Sequence, residues 1–393
     1  MNKEEQRKLA EKLSAFSVFR SIIDSKVLEN FIEYLKCDGD SISKAYLYGK
    51  FVNLLGEFDN DFSRFLTRAV FEDENYYIVS TDKKKKVDKT VQENATEELK
   101  IFTFLSTLTS NDLTKDCSFD GYIPKFTNKK IDFVKEYKKR LKNIEKFGYG
   151  IFASSEMFKV VNGDIIPVES ADYIKIDGFV GYDEERKQVL DNTKALLEGR
   201  PAANVLLCGD AGTGKSSTVK ACVNHFYKDG LRLIEIRKDQ LLSLATVMGR
   251  IENNPLKFII FIDDLSFNKN DDSFSMLKAA LEGSASAKAE NAVIYATSNR
   301  KHIIKESFAD RNSTDDVHRN DTMQELLSLS DRFGLTVYFQ KPNKELYLNI
   351  VKTLAKRNNI EVNDELLIKA EAFALNKGSR SPRAAEQFIN SQL

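Results

Sequence analysis

The stretch Gly209-Asp-Ala-Gly-Thr-Gly-Lys-Ser216 constrains this chain more than any other. It matches the phosphate-loop pattern Gly-x-x-x-x-Gly-Lys-Ser completely, and its surroundings agree. An apolar run, Asn204-Val-Leu-Leu-Cys208, leads in, and a helical pattern, Ser217–Tyr227, leads out. Glycines permit positive φ angles and let the backbone approach phosphate oxygens without a Cβ in the way. The loop N–H groups then point at the anion, and the helix N-terminus adds its positive end. Gly209, Asp210, Ala211, Gly212, Thr213, Gly214, Lys215, Ser216 and Ser217 are therefore the predicted phosphate cradle. Lys215 is expected to reach the β- and γ-phosphates, and Ser216 to place its hydroxyl on Mg2+.

A second apolar run, Phe258-Ile-Ile-Phe-Ile, ends in Asp263-Asp264. Downstream of a phosphate loop this reads as the acidic Walker B strand. Asp263 is then a metal candidate beside Ser216, and Asp264 stands where a second carboxylate can orient the attacking water. Asn268-Lys-Asn-Asp271 matches a guanine-reading motif, but it lies too close behind Asp264 to be a separate base-reading loop. The Asp-x-x-Gly companion motif is missing, because Asp263 is followed by Asp-Leu-Ser. ATP is the expected nucleotide.

With 393 residues the chain has room for two or three domains. Residues 1–150 read as mostly helical, with apolar side chains at helical spacing in Phe16, Phe19, Ile22, Ile23 and in Leu47, Phe51, Leu54, Leu55. Residues 151–175 read as a connector with short strands flanking the Asn162-Gly163 turn signal. From 176 to 341, five apolar runs alternate with helical segments: Val205–Cys208, Leu231–Ile236, Phe258–Ile262, Ala292–Ala296 and Leu335–Phe339. That alternation predicts an α/β domain with a five-stranded parallel sheet covered by helices. Residues 342–393 read as helical only.

Lys+Arg and Asp+Glu both number 59, so no generic nucleic-acid affinity follows from net charge. The basic stretch Lys129–Lys146 and the Lys83–Lys86 run are local exceptions, each read first as a solvated face. Cys37, Cys117, Cys208 and Cys222 are scattered, without metal-ligand spacing, as reduced cysteines in a reducing compartment would be. The N-terminus carries no apolar leader, and no run of about 18 apolar residues exists, so a cytoplasmic protein without a membrane span is expected.

Beyond the phosphate loop, residues 175–393 resemble the AAA+ superfamily. Asp177-Gly-Phe-Val-Gly181-Tyr182-Asp-Glu-Glu is similar to the segment that opens an AAA+ module and lies beside the adenine. Ala292-Val-Ile-Tyr-Ala-Thr-Ser-Asn299-Arg resembles the sensor 1 strand, with Asn299 as the polar sensor. Leu329-Ser-Asp-Arg332-Phe-Gly334 resembles the arginine-finger segment, and Gly378-Ser-Arg-Ser-Pro-Arg383-Ala-Ala the sensor 2 helix of a C-terminal helical lid. Phe261–Phe267, Leu277–Gly283, Tyr295–Arg300 and Leu327–Gly334 further resemble a bacterial AAA+ family of unknown function, number 815.

That resemblance implies an ATPase whose sites lie between subunits of a ring or helical homo-oligomer. Lys215 and Arg383 would act in cis, with Arg380 as a second lid candidate. Arg332, or alternatively Arg311 or Arg319, would act in trans. Many relatives carry Glu where this chain has Asp264, so a slow nucleotide-dependent switch is one rival reading. A DNA-associated loader or motor is another. The helical N-terminal region is expected to recognise a protein or nucleic-acid partner. An Asp/His cluster within 311–321 is read as a charged loop ahead of a metal site.

Overall fold

The computed structural model describes residues 1–115, 122–168, 176–265, 277, 280–281, 289–299 and 332–393. They form two compact units, Met1–Ser154 and Ser155–Leu393. No described helix is long and apolar enough to cross a membrane.

The first unit is helical throughout its regular structure. Asn2, Ser25, Asp40, Asp61, Asn75 and Asp88 each cap a helix by accepting a backbone N–H. Its core is aromatic: Phe102 meets Phe16 and Phe19 edge to face, and Phe51 meets Phe62 in the same way. Helical spacing predicts a helix through Phe16 and Phe19, but helix resumes only at Arg20–Ile23. The reason is Glu98, whose buried carboxylate accepts the N–H groups of Ser17, Val18 and Phe19. Those donors are satisfied by a side chain from a distant helix instead of by a helical turn.

The second unit holds the sheet. Its strands are β1 (Met157–Val161), β2 (Asp164–Pro167), β3 (Val205–Gly209), β4 (Leu231–Glu235), β5 (Lys257–Ile262), β6 (Ala292–Ser298) and β7 (Leu335–Phe339), in the order β2-β1-β4-β5-β6-β3-β7. The five predicted runs, β3 to β7, are all parallel. The sheet has seven strands rather than five, because the connector supplies two. β1 extends the sheet in parallel beside β4, and β2 folds back antiparallel through Asn162-Gly163, both at positive φ. Their pairing covers the backbone groups that β4 would otherwise expose at an edge.

Helices α1 (Asp183–Leu197), α2 (Lys215–Phe226) and α3 (Leu244–Ile251) lie along this sheet. The buried strands β3 and β5 are apolar on both faces, as parallel strands between helical layers must be. After β7 come α4 (Lys344–Arg357), α5 (Asp364–Asn376) and α6 (Pro382–Asn390), capped by Asn343, Asn363 and Ser381. They enclose a small core of Tyr347, Val351, Ala370, Ala385 and Phe388. Pro382 opens α6 at its first position, as its fixed φ predicts.

Gly209 ends β3 at a φ of 145°, and a Cβ there would land on the Phe339 carbonyl of β7. Gly209→Ala should therefore cost about 2–3 kcal/mol by forcing β3 and β7 apart, read as a lowered urea midpoint of the full chain.

Candidate functional site

The loop between β3 and α2 is shaped by its glycines. Gly212 (φ 76°) and Gly214 (φ 91°) adopt left-handed backbone, and α2 begins at Lys215 without a side-chain cap. Its first N–H groups therefore face the loop's hollow. Thr213 Oγ1 donates to the Asp210 carbonyl at 2.9 Å and stiffens the turn. Lys215 is 5% exposed. Its ammonium donates to the Gly209 and Asp210 carbonyls at 2.9 and 2.8 Å and to Asn299 Oδ1 at 2.9 Å. Burial holds its pKa below the ordinary lysine value, while nearby negative groups, including Asp210, Asp263 and Asp264, pull it back up.

Strand order explains how Asn299 reaches this lysine. β6 lies between β3 and β5, so the residue after β6 stands between the phosphate loop and the acidic pair. Asn299 Oδ1 accepts from Lys215, and its Nδ2 donates to Asp264 Oδ1 at 2.7 Å. Asp264 sits at a φ of 52°, a conformation that Asp tolerates better than most side chains. Thr297 holds that turn. Its Oγ1 accepts the Asp264 N–H at 2.9 Å and donates to Asp263 Oδ1 at 2.5 Å, and its carbonyl accepts the Leu265 N–H at 2.7 Å. Ser216 Oγ donates to the same Asp263 oxygen at 2.6 Å. The Ser216 hydroxyl and Asp263 carboxylate thus form an adjacent pair of hard oxygen donors, the ligand type Mg2+ takes.

A cavity of about 520 Å³ opens over this network, within the size range of small-molecule sites. Its walls include Tyr182, Ala211 to Ser217, Asp263, Asp264, Asn299 and Arg383. The lid closes one side with Ile350, Leu354, Pro382 and Glu386. Arg383 also donates its backbone N–H to the Gly212 carbonyl at 3.3 Å, so α6 rests on the loop. Arg380 is tied instead to Glu371, which holds that carboxyl below its usual range. Of the two lid arginines, Arg383 is the one on the cavity wall.

Other predicted residues lie off the wall. Gly209 and Asp210 support the lysine from behind, and Gly181 packs under Leu346. Arg332 precedes β7, whose first residue pairs with Val205 at the start of β3. It therefore sits at the strand ends opposite the phosphate loop. Arg311, Arg319, the 311–321 cluster and Asn268–Asp271 lie outside the described residues. Among the described residues no group of three or more His, Cys, Asp or Glu could hold a metal, and Cys37, Cys208 and Cys222 form no disulfide. Arg186 lines the cavity without having been singled out from sequence, and Phe179 and Thr297 do so from within segments that were recognised only as a whole. Thr297 carried one faint signal, a hydroxyl inside an otherwise apolar buried strand.

Parallel strands in this order, a phosphate loop after β3, an acidic pair after β5 and a three-helix lid define a P-loop module of the AAA+ type. The chain belongs to the family described as protein of unknown function (DUF815), which matches residues 153–393. Among solved structures, it is similar to the RuvB Holliday junction branch migration motor of Thermotoga maritima, with 16% identity and a TM-score of 0.37 over 55% of this chain and 63% of that one. Two mutants of the same motor give 16% identity with a TM-score of 0.38 over 55% and 64%, and 14% with 0.33 over 56% and 72%. In the first of these comparisons this chain thus spans less than two thirds of the motor's length. Comparison with curated proteins finds no match.

Two outcomes follow from the network. Thr297→Val removes the hydroxyl that joins Asp263 to the Asp264 N–H and should cost about 1–2 kcal/mol in urea unfolding. Lys215 has a folded pKa below its unfolded value, so the unfolded state binds more protons just below the ordinary lysine pKa. Stability relative to Lys215→Met should rise with pH through that alkaline window, measured as the difference in unfolding midpoints.

Proposed function

We propose that this protein binds ATP with Mg2+ and hydrolyses it to ADP and phosphate to remodel a macromolecular partner. The observation that carries this reading is the chain of contacts Lys215–Asn299–Asp264 beside Ser216–Asp263. Phosphoryl transfer needs charge neutralisation and a placed water more than covalent chemistry. Lys215 and Arg383 supply positive charge to the phosphates from two walls of the cavity. Ser216 and Asp263 would hold Mg2+, which would supply further positive charge to the phosphates. Asp264 orients the attacking water, and Asn299 fixes the carboxylate that does so. The glycine-bearing strip around Gly181 and Tyr182 lies beside the adenine.

Arg332 is assigned to a neighbouring copy's site, because it stands at the far ends of its own strands. Assembly into a ring or helical homo-oligomer follows from that assignment. The residues form four parts on this reading: 1–150 for partner recognition, 151–175 as connector, 176–341 for the nucleotide and 342–393 as lid. Asp264 is one methylene shorter than Glu, so turnover is slow, and a switch role is the second reading.

Steady-state phosphate release tests both. Lys215→Ala and Asp264→Asn should each lose at least about a hundredfold, and Arg332→Ala about a thousandfold. An equal mixture of the Lys215→Ala and Arg332→Ala chains should regain measurable activity, since the Lys215→Ala chain supplies Arg332 to the intact phosphate loop of the Arg332→Ala chain. Release from wild type no greater than from Lys215→Ala, at high protein concentration, sinks the hydrolytic reading and leaves the switch. A mixture as inactive as its parts refutes the shared site.

A further inference from the structure

Gly178, Phe179, Val180 and Tyr182 line the cavity, and the strip 177–182 that carries them is attached to two different bodies. Its second end is fixed to the sheet. Tyr182 donates its hydroxyl to the Gln340 carbonyl at 2.6 Å and packs its ring on Phe339 of β7, with centroids 5.4 Å apart. Its first end is fixed to the lid. Val180 packs against the lid core, and Leu346 of α4 fills the space that a Cβ on Gly181 would occupy. The seam between the two ends is marked by consecutive left-handed residues, Gly181 (φ 74°) and Tyr182 (φ 60°).

One stripe of α4 makes the lid-side attachment. Leu346, Ile350, Leu354 and Arg357 recur at helical spacing and share a face. Leu346 meets Gly181, Ile350 and Leu354 line the cavity, and Arg357 reaches the strip from the last turn. The Arg357 guanidinium donates from Nη1 to the Gly178 carbonyl and from Nη2 to the Asp177 carbonyl, the latter at 3.1 Å. A planar fork presents its donors to two successive carbonyls in one fixed geometry, which the flexible point charge of a lysine does not. Gly178, Phe179 and Val180, the residues this fork steadies, line the cavity, whereas Arg357 does not.

We propose that Arg357 is a positioning residue for the base of the nucleotide: it clamps residues 177–180 to α4, so that the base-side wall is tied to the lid as well as to the sheet domain. This rests on the ATP-binding reading above. Phosphate contacts come from Gly212 to Ser216 and are independent of the clamp. Affinity for the base-bearing half of the ligand therefore depends on Arg357, and affinity for the phosphates does not.

Calorimetric titration of the full chain with MgADP and with magnesium tripolyphosphate separates the two. Arg357→Ala should bind ADP about tenfold more weakly, while tripolyphosphate affinity stays within about twofold of wild type. Arg357→Lys, which keeps the charge without the fork, should remain several-fold weakened for ADP and carries the same test if the alanine variant fails to fold. Unchanged ADP affinity in both variants overturns the clamp. So does a parallel loss of ADP and tripolyphosphate, which would make Arg357 only a general prop of the lid. Wild type that binds neither ligand, or Lys215→Ala that binds both as wild type does, overturns the nucleotide reading itself.

Discussion

The arrangement of the second unit turns on a buried ammonium. Lys215 gives up most of its hydration and recovers it as three hydrogen bonds, two to loop carbonyls and one to Asn299. A buried charge is tolerated only when it is surrounded by acceptors, which fixes the loop around it and orients the end of β6. Asn299, once oriented, presents its amide to Asp264. The positive side and the acidic side of the cavity are thereby joined by a single side chain. Thr297 does a similar service one turn of strand earlier, joining the two aspartates through a hydroxyl that both donates and accepts.

The lid completes the enclosure by touching both ends of the cavity. At the phosphate end, α6 starts on the Gly212 carbonyl and presents Arg383. At the other end, the α4 stripe holds the strip before Tyr182. Each attachment is made through backbone carbonyls and through positions where only glycine leaves room. The lid is thereby tied to the cavity at both places.

Much of this was legible in the chain. Gly209–Ser216 read as a phosphate loop, Asp263-Asp264 as an acidic strand end, and Pro382 as a helix start, because each depends on neighbours a few residues away. Other features were not. Phe16 and Phe19 have helical spacing, yet Glu98, remote in sequence, captures the N–H groups that a helix would have used. The Asn162-Gly163 turn was evident, but nothing local said that its hairpin would extend the sheet beside β4. Arg186 directly follows the segment 177–185, and nothing in its local sequence marks it. Its burial on the cavity wall, with the guanidinium over Phe179 at 5.2 Å, is a consequence of packing.

The sequence by itself determined the glycine-rich turn between β3 and α2, since glycine torsions, an apolar strand and a helix start are short-range properties that survive any choice of neighbours. It also determined that five apolar runs would form parallel strands between helices. Only the tertiary structure decided their order, and the order is what matters at the site. With β6 between β3 and β5, Asn299 spans from Lys215 to Asp264. Because β7 runs parallel to β3, Arg332, which precedes it, falls at the far strand ends. Strand order is set by which apolar faces and edges pack together across the whole sheet, and no local stretch of chain carries that information.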